Sequence, residues 1–221
     1  MTTRAESYGL WRDLPVRPMT YVETGYLLVF AQAVVRVLWL LNIIEYWKIL
    51  FMLLGGSRQQ SRAARSLAID TFMLLKWVVL ACFVWFEIKG TVAQYLIGYL
   101  IGSVFFSYFY YHVWQVPSHR DSHARQIRRT LAFMLSFFFV IAGYAYIFMA
   151  GYADDFAWPE EGGANFGNAM LLSLSNAFTG SFGLVQPLTA SARWVLAGEM
   201  IFIFGFLAIV IVNSIPLRRQ P

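Results

Sequence analysis

Four apolar runs, 67–86, 91–113, 130–150 and 194–215, constrain this chain more than anything else in it. Each holds about 20 residues, enough at a 1.5 Å rise to cross roughly 30 Å of hydrocarbon. Of the 221 residues, 59% are hydrophobic and 13% charged, too little polar surface to clothe four such helices in water. Aromatic residues make up 18%, which fits rings gathered at two bilayer interfaces. The expected fold is therefore all-α and integral to a membrane, with four transmembrane helices. Three parts follow. Residues 1–66 form an N-terminal tail and a membrane-associated helix, 67–129 a transmembrane hairpin and basic loop, and 130–221 a third module. The link 87–90 is short, so the first two spans form a tight antiparallel hairpin. Between the last two spans, 164–178 is apolar but too short to cross. A segment of that length fits a re-entrant helix.

Arginines set the orientation. Arg58, Arg62 and Arg65 precede the first span, and Arg120, Arg125, Arg128 and Arg129 separate the second from the third. Arg218 and Arg219 follow the fourth. With four spans all three groups fall on one side, which should be cytoplasmic. The expectation is a multi-pass protein of the cell's inner (plasma) membrane with a cytoplasmic C-terminus. Glu87, Lys89, Asp154, Asp155, Glu160 and Glu161 then face outward, and the re-entrant segment enters from outside. Residues 21–56 are apolar but interrupted by Glu23, Arg36, Glu45 and Lys48. They either lie in the interface as an amphipathic helix or cross once as a fifth span and continue along the interface. Gly55-Gly56 ends this stretch.

Several classes of function are disfavoured. One cysteine, Cys82, permits no intrachain disulfide and no cysteine metal site. The net charge of +5 belongs to loops, so no nucleic-acid partner is expected. The first twenty residues lack a compact apolar run before a cleavage site, so no cleavable signal peptide is expected. No Ser-His-Asp set, Walker loop or HExxH is present, and neither an enzyme nor a cofactor is expected. His119 and His123 beside Asp121 read as solvated loop residues rather than a metal pair. Gly98 and Gly102 predict close helix packing. No span before 164 carries arginine at every third residue, so strong voltage dependence is not expected. Arg36, Lys76 and Glu199 are ionisable groups in apolar segments, where such groups face protein or water. Glu199 either braces the loop before it or is a carboxylate hydrogen-bonded at a helix interface.

That loop, 173–193, reads SLSNAFTGSFGLVQPLTASAR. Ser173 opens it, Thr179 precedes Gly180 and Ser181, Phe182-Gly183 follows, Pro187 lies four beyond Gly183, and Arg193 six beyond Pro187. Over 130–221 the chain resembles the pore module of tetrameric potassium channels, whose loop runs Thr-x-Gly-Tyr/Phe-Gly, acid, two residues, proline. The resemblance implies a pore helix and a carbonyl-lined filter of Thr179, Gly180, Ser181, Phe182 and Gly183. It implies support from Ser173, Asn176, Pro187, Arg193 and Glu199, and an outer vestibule of Asp154, Asp155, Glu160 and Glu161. It further implies a homotetramer in a lipid bilayer, passing monovalent cations with potassium the first candidate. A filter replaces an ion's water with rings of backbone carbonyls. Its backbone must visit the left-handed region, which glycine does without steric cost. Three features depart from the family. Ser181 replaces the first filter glycine, at a cost of about 1–2 kcal/mol per subunit if held at positive φ. Leu184 replaces the acid, and Asn176 and Phe178 replace hydroxyl residues. A non-conducting accessory or structural subunit of a heteromeric membrane complex, and a pore with altered, anionic preference, stay open as alternatives.

Overall fold

Apolar runs that must satisfy their own backbone groups form helices, and the computed structural model is mostly helical. It describes residues 26–54, 58–111, 123–160, 162–180 and 185–214. In chain order these hold α1 (Tyr26–Leu41), α2 (Ile43–Leu54), α3 (Arg58–Trp85), α4 (Thr91–Phe109), α5 (His123–Gly151), α6 (Phe166–Ala177) and α7 (Ala190–Ser214). Four segments are long and apolar enough to cross a membrane: Leu67–Trp85, Thr91–Phe109, Thr130–Gly151 and Ala190–Ile209. A fifth is possible by length if the bent pair α1–α2 counts as one. This is the architecture of an all-α, multi-pass membrane protein. The chain divides into two compact units, 1–72 and 73–221, with the boundary inside α3.

The first unit shows how 21–56 manages its charges. The chain bends by 56° between α1 and α2, and Asn42 stands at the break. Glu45 and Lys48 follow it, both buried, with Lys48 Nζ 2.8 Å from Glu45 Oε1. Burial of either charge alone would be costly, and pairing offsets that cost. Arg36 is exposed instead. Residues 1–25, with Glu23, lie outside the described residues.

The second unit is organised around α5. Of its membrane-length window 61% is buried, against 28% for α7. Phe139, Val140, Ile141, Ala145, Tyr146 and Phe148 are fully enclosed. Trp77 meets Phe139 and Phe83 meets Tyr146, so α3 runs parallel to α5. Gln94 of α4 donates to the Ala150 carbonyl, while Tyr108 meets Phe133, so α4 runs antiparallel to α5. Tyr144 meets Phe202 and Phe133 meets Phe206, so α7 does the same. The C-termini of α4 and α7 and the N-terminus of α5 therefore share one end.

Close packing occurs at glycines other than the expected pair. A Cβ at Gly98 or Gly102 would meet nothing within 4 Å. The neighbouring Ile97 and Ile101 point at α5 instead, where a Cβ on Gly143 would sit 2.9 Å from Ile101 Cδ1. On α7, a Cβ at Gly205 would lie 2.6 Å from Phe105. A two-stranded antiparallel ladder pairs β1 (Phe156–Ala157) with β2 (Gln186–Pro187), in the register Phe156 to Pro187.

Candidate functional site

The short apolar stretch forms α6, 12 residues or about 18 Å long, too short to span. Its start is capped by Asn165, whose side-chain oxygen accepts from the Asn168 N–H at 2.8 Å. It packs between α5 and α7, with Ala169, Leu172, Ser173, Ser175 and Ala177 buried.

Its depth can be read against α5. Ser173 Oγ bonds the carbonyl of Ile141 at 2.8 Å, and Ile141 is halfway along the Thr130–Gly151 span. The Phe178 ring reaches Phe137, with centroids 6.4 Å apart. Phe137 is 14 residues from Gly151, about 21 Å down the helix. The helix therefore ends past the middle of the span, about two-thirds of the way from its Gly151 end.

The end of α6 is a complete C-terminal cap. Phe178 N–H donates to Leu174, Thr179 N–H to Asn176, and Gly180 N–H to Ser175, the last at 2.7 Å. Such a turn needs a left-handed residue, usually glycine. Thr179 takes that position at φ 54, and its hydroxyl donates to the Phe178 carbonyl at 2.7 Å. Among the described residues of the loop, positive φ falls on Thr179. Ser181, where sequence reasoning expected it, lies outside the described residues with Phe182, Gly183 and Leu184. Phe178, Thr179 and Gly180 are all exposed.

Behind α6 a carboxyl holds it in place. Glu199 of α7 has no exposed surface. Its Oε2 accepts from Asn176 Nδ2 at 2.6 Å, and its Oε1 bonds Ser173 Oγ. The Asn176 amide also donates to the Leu196 carbonyl at 3.0 Å, which can only accept and so fixes the amide's orientation. Ser173, Asn176 and Glu199 are brought together, and Glu199 is a carboxyl hydrogen-bonded at the interface of α6 and α7.

Other expected residues are placed apart from this cluster. Pro187 sits in β2, half-buried and paired with Phe156. Leu188 N–H donates to the Asp155 carbonyl at 2.8 Å, so the chain after the loop is tied to the chain before α6. Arg193 is exposed in the first turn of α7. That turn begins with Thr189, whose hydroxyl accepts from Ala192 N–H at 3.2 Å. Asp154 and Glu160 are exposed and Asp155 half-exposed at the end where α5 finishes. Glu161 and His119 lie outside the described residues. Among those described, no group of three or more His, Cys, Asp or Glu could hold a metal. The ladder and the threonine cap were missed in the sequence. A two-residue strand leaves no periodic signal, and threonine gives no warning of positive φ.

No family model, curated protein or solved structure matches this chain.

Proposed function

We propose that the chain is a passive cation channel, its pore formed where four copies bring their re-entrant loops to one axis. The observation that carries this reading is the depth at which α6 stops. Irregular backbone at membrane depth is tolerated only where protein covers it or water reaches it. Phe178, Thr179 and Gly180 are exposed there, so the single chain leaves its turn uncovered. Further copies around a wet axis supply both protein and water. A pore helix with its C-terminal end toward that axis favours a cation. The exposed Asp154 and Glu160 concentrate cations at the entrance. Monovalent cations, potassium first, are the proposed cargo, and the arginine-rich end is placed in the cytoplasm.

Reconstituted full-length protein tests this. The expected result is a fourfold homo-oligomer whose reversal potential follows the cation gradient. Anion selectivity, or no conductance from folded protein, overturns it. A single copy seated in a mixed complex favours a structural subunit instead. Within the channel reading, Ser181→Gly should raise potassium over sodium selectivity, measured by bi-ionic reversal potentials.

A further inference from the structure

Ser173 Oγ carries one hydrogen and stands against two oxygens, the Ile141 carbonyl and Glu199 Oε1. A carbonyl only accepts, and so does an ionised carboxylate. With Glu199 ionised, one of the two contacts would set lone pair against lone pair. With a proton on Oε1 the chain closes: Glu199 donates to Ser173 Oγ, and Ser173 donates to Ile141. Asn176 Nδ2 still donates to Oε2, so both carboxyl oxygens are served.

The surroundings agree. Glu199 is fully enclosed, and an isolated charge there is strongly disfavoured. The buried cation of α3, Lys76, lies over the Phe139 ring of α5, 5.1 Å from its centroid, and the polar groups bonded to the Glu199 carboxyl are those of Ser173 and Asn176. α4 and α6 carry no acidic or basic residue, and neither does α5 from 130 to 151. On α7 the one cation near it in sequence, Arg193, is exposed. Tyr144 of α5 is the titratable group that faces Glu199, and a phenol supplies no positive charge.

We infer that Glu199 is held as a neutral acid, and that its proton seats the re-entrant helix against α5 and α7. The folded state then binds one proton more than the unfolded state, in which an exposed glutamate is ionised at neutral pH. Folding therefore weakens as pH rises through neutrality, by about tenfold in the folding constant per pH unit. The regulatory consequence, alkaline unseating of α6 and a change in conductance, rests on the channel reading. The proton itself does not.

Infrared spectra of the full chain in lipid test the proton directly. At neutral pH the protein should show a protonated-carboxyl stretch that Glu199→Gln removes. Ser173→Ala should shift that band, because the acid loses its acceptor. Identical bands in the parent and Glu199→Gln, or loss of an ionised-carboxylate band in the variant, overturn the proposal. Failure of Glu199→Gln to fold also counts against it, since an amide reproduces the donor and acceptor of a neutral acid. Conductance measured across pH separates the two readings. A band without conductance sinks the channel and keeps the proton; conductance without the band does the reverse.

Discussion

Two helices here end in the same turn at very different places. α3 closes with Glu87 at φ 50, its N–H on the Val84 carbonyl and the Ile88 N–H on Phe83. α6 closes with Thr179 at φ 54, its N–H on Asn176 and the Gly180 N–H on Ser175. Beyond the first turn the chain is exposed but its carbonyls are served: the Tyr146 hydroxyl donates to the Ile88 carbonyl, and Gln94 donates to Lys89. Beyond the second, no hydrogen bond among the described residues reaches the Thr179 or Gly180 carbonyl. One turn is finished within its own chain. The other has no partner for these carbonyls among the described residues, and that contrast is what the proposed pore would account for.

Cutting the tie behind the deep turn should have the largest effect. Glu199→Ala removes two hydrogen bonds and leaves a cavity, an expected loss of about 3 kcal/mol in chemical unfolding. Tyr146→Phe, the matching cut at the α3 turn, deletes one hydroxyl bond and should cost about 1 kcal/mol. Equal losses would mean that the two turns are held alike. Next comes Asn165→Ala, which uncaps the start of α6 and should cost about 1 kcal/mol. It should reduce hydrogen-exchange protection in 166–170 and leave the Gly180 amide unchanged.

How much of this was legible depended on range. The four spans and the short α6 were readable because length and hydropathy act locally on each segment. α5 begins at His123 and α7 at Ala190, earlier than their apolar runs, since polar turns can extend a helix past the hydrocarbon. Glu199 was visible as an ionisable residue in an apolar helix, and Ser173 and Asn176 as members of a loop pattern. Their meeting was not visible, because it depends on how α6 leans between two helices, through contacts 20 to 32 residues apart in sequence. The packing at Gly143 and Gly205 was hidden for the same reason. A small residue permits close approach, but the partner's rotation decides which glycine is used. Gly98 and Gly102 face away from the contact that Ile97 and Ile101 make.

The smallest expected effect falls on the left-handed residues themselves. A β-branched side chain at positive φ is an outlier, whereas an unbranched one is merely uncommon. Glycine removes the steric cost, about 1–2 kcal/mol, but adds entropy to the unfolded chain worth about 0.4–1 kcal/mol. Thr179→Gly should therefore stabilise the end of α6 by roughly 0.5–1 kcal/mol, and Glu87→Gly should change α3 by less. The Gly180 amide, which closes the deep turn onto Ser175 at 2.7 Å, is the reporter. Its exchange should slow in Thr179→Gly and stay constant in Glu87→Gly. Faster exchange in Thr179→Gly would mean that the hydroxyl bond to Phe178 holds the turn more firmly than its backbone strain loosens it. Slower exchange with lost conductance would place the value of Thr179 in the pore rather than the fold, because a residue kept at a conformational cost to its own chain must serve something that chain alone does not contain.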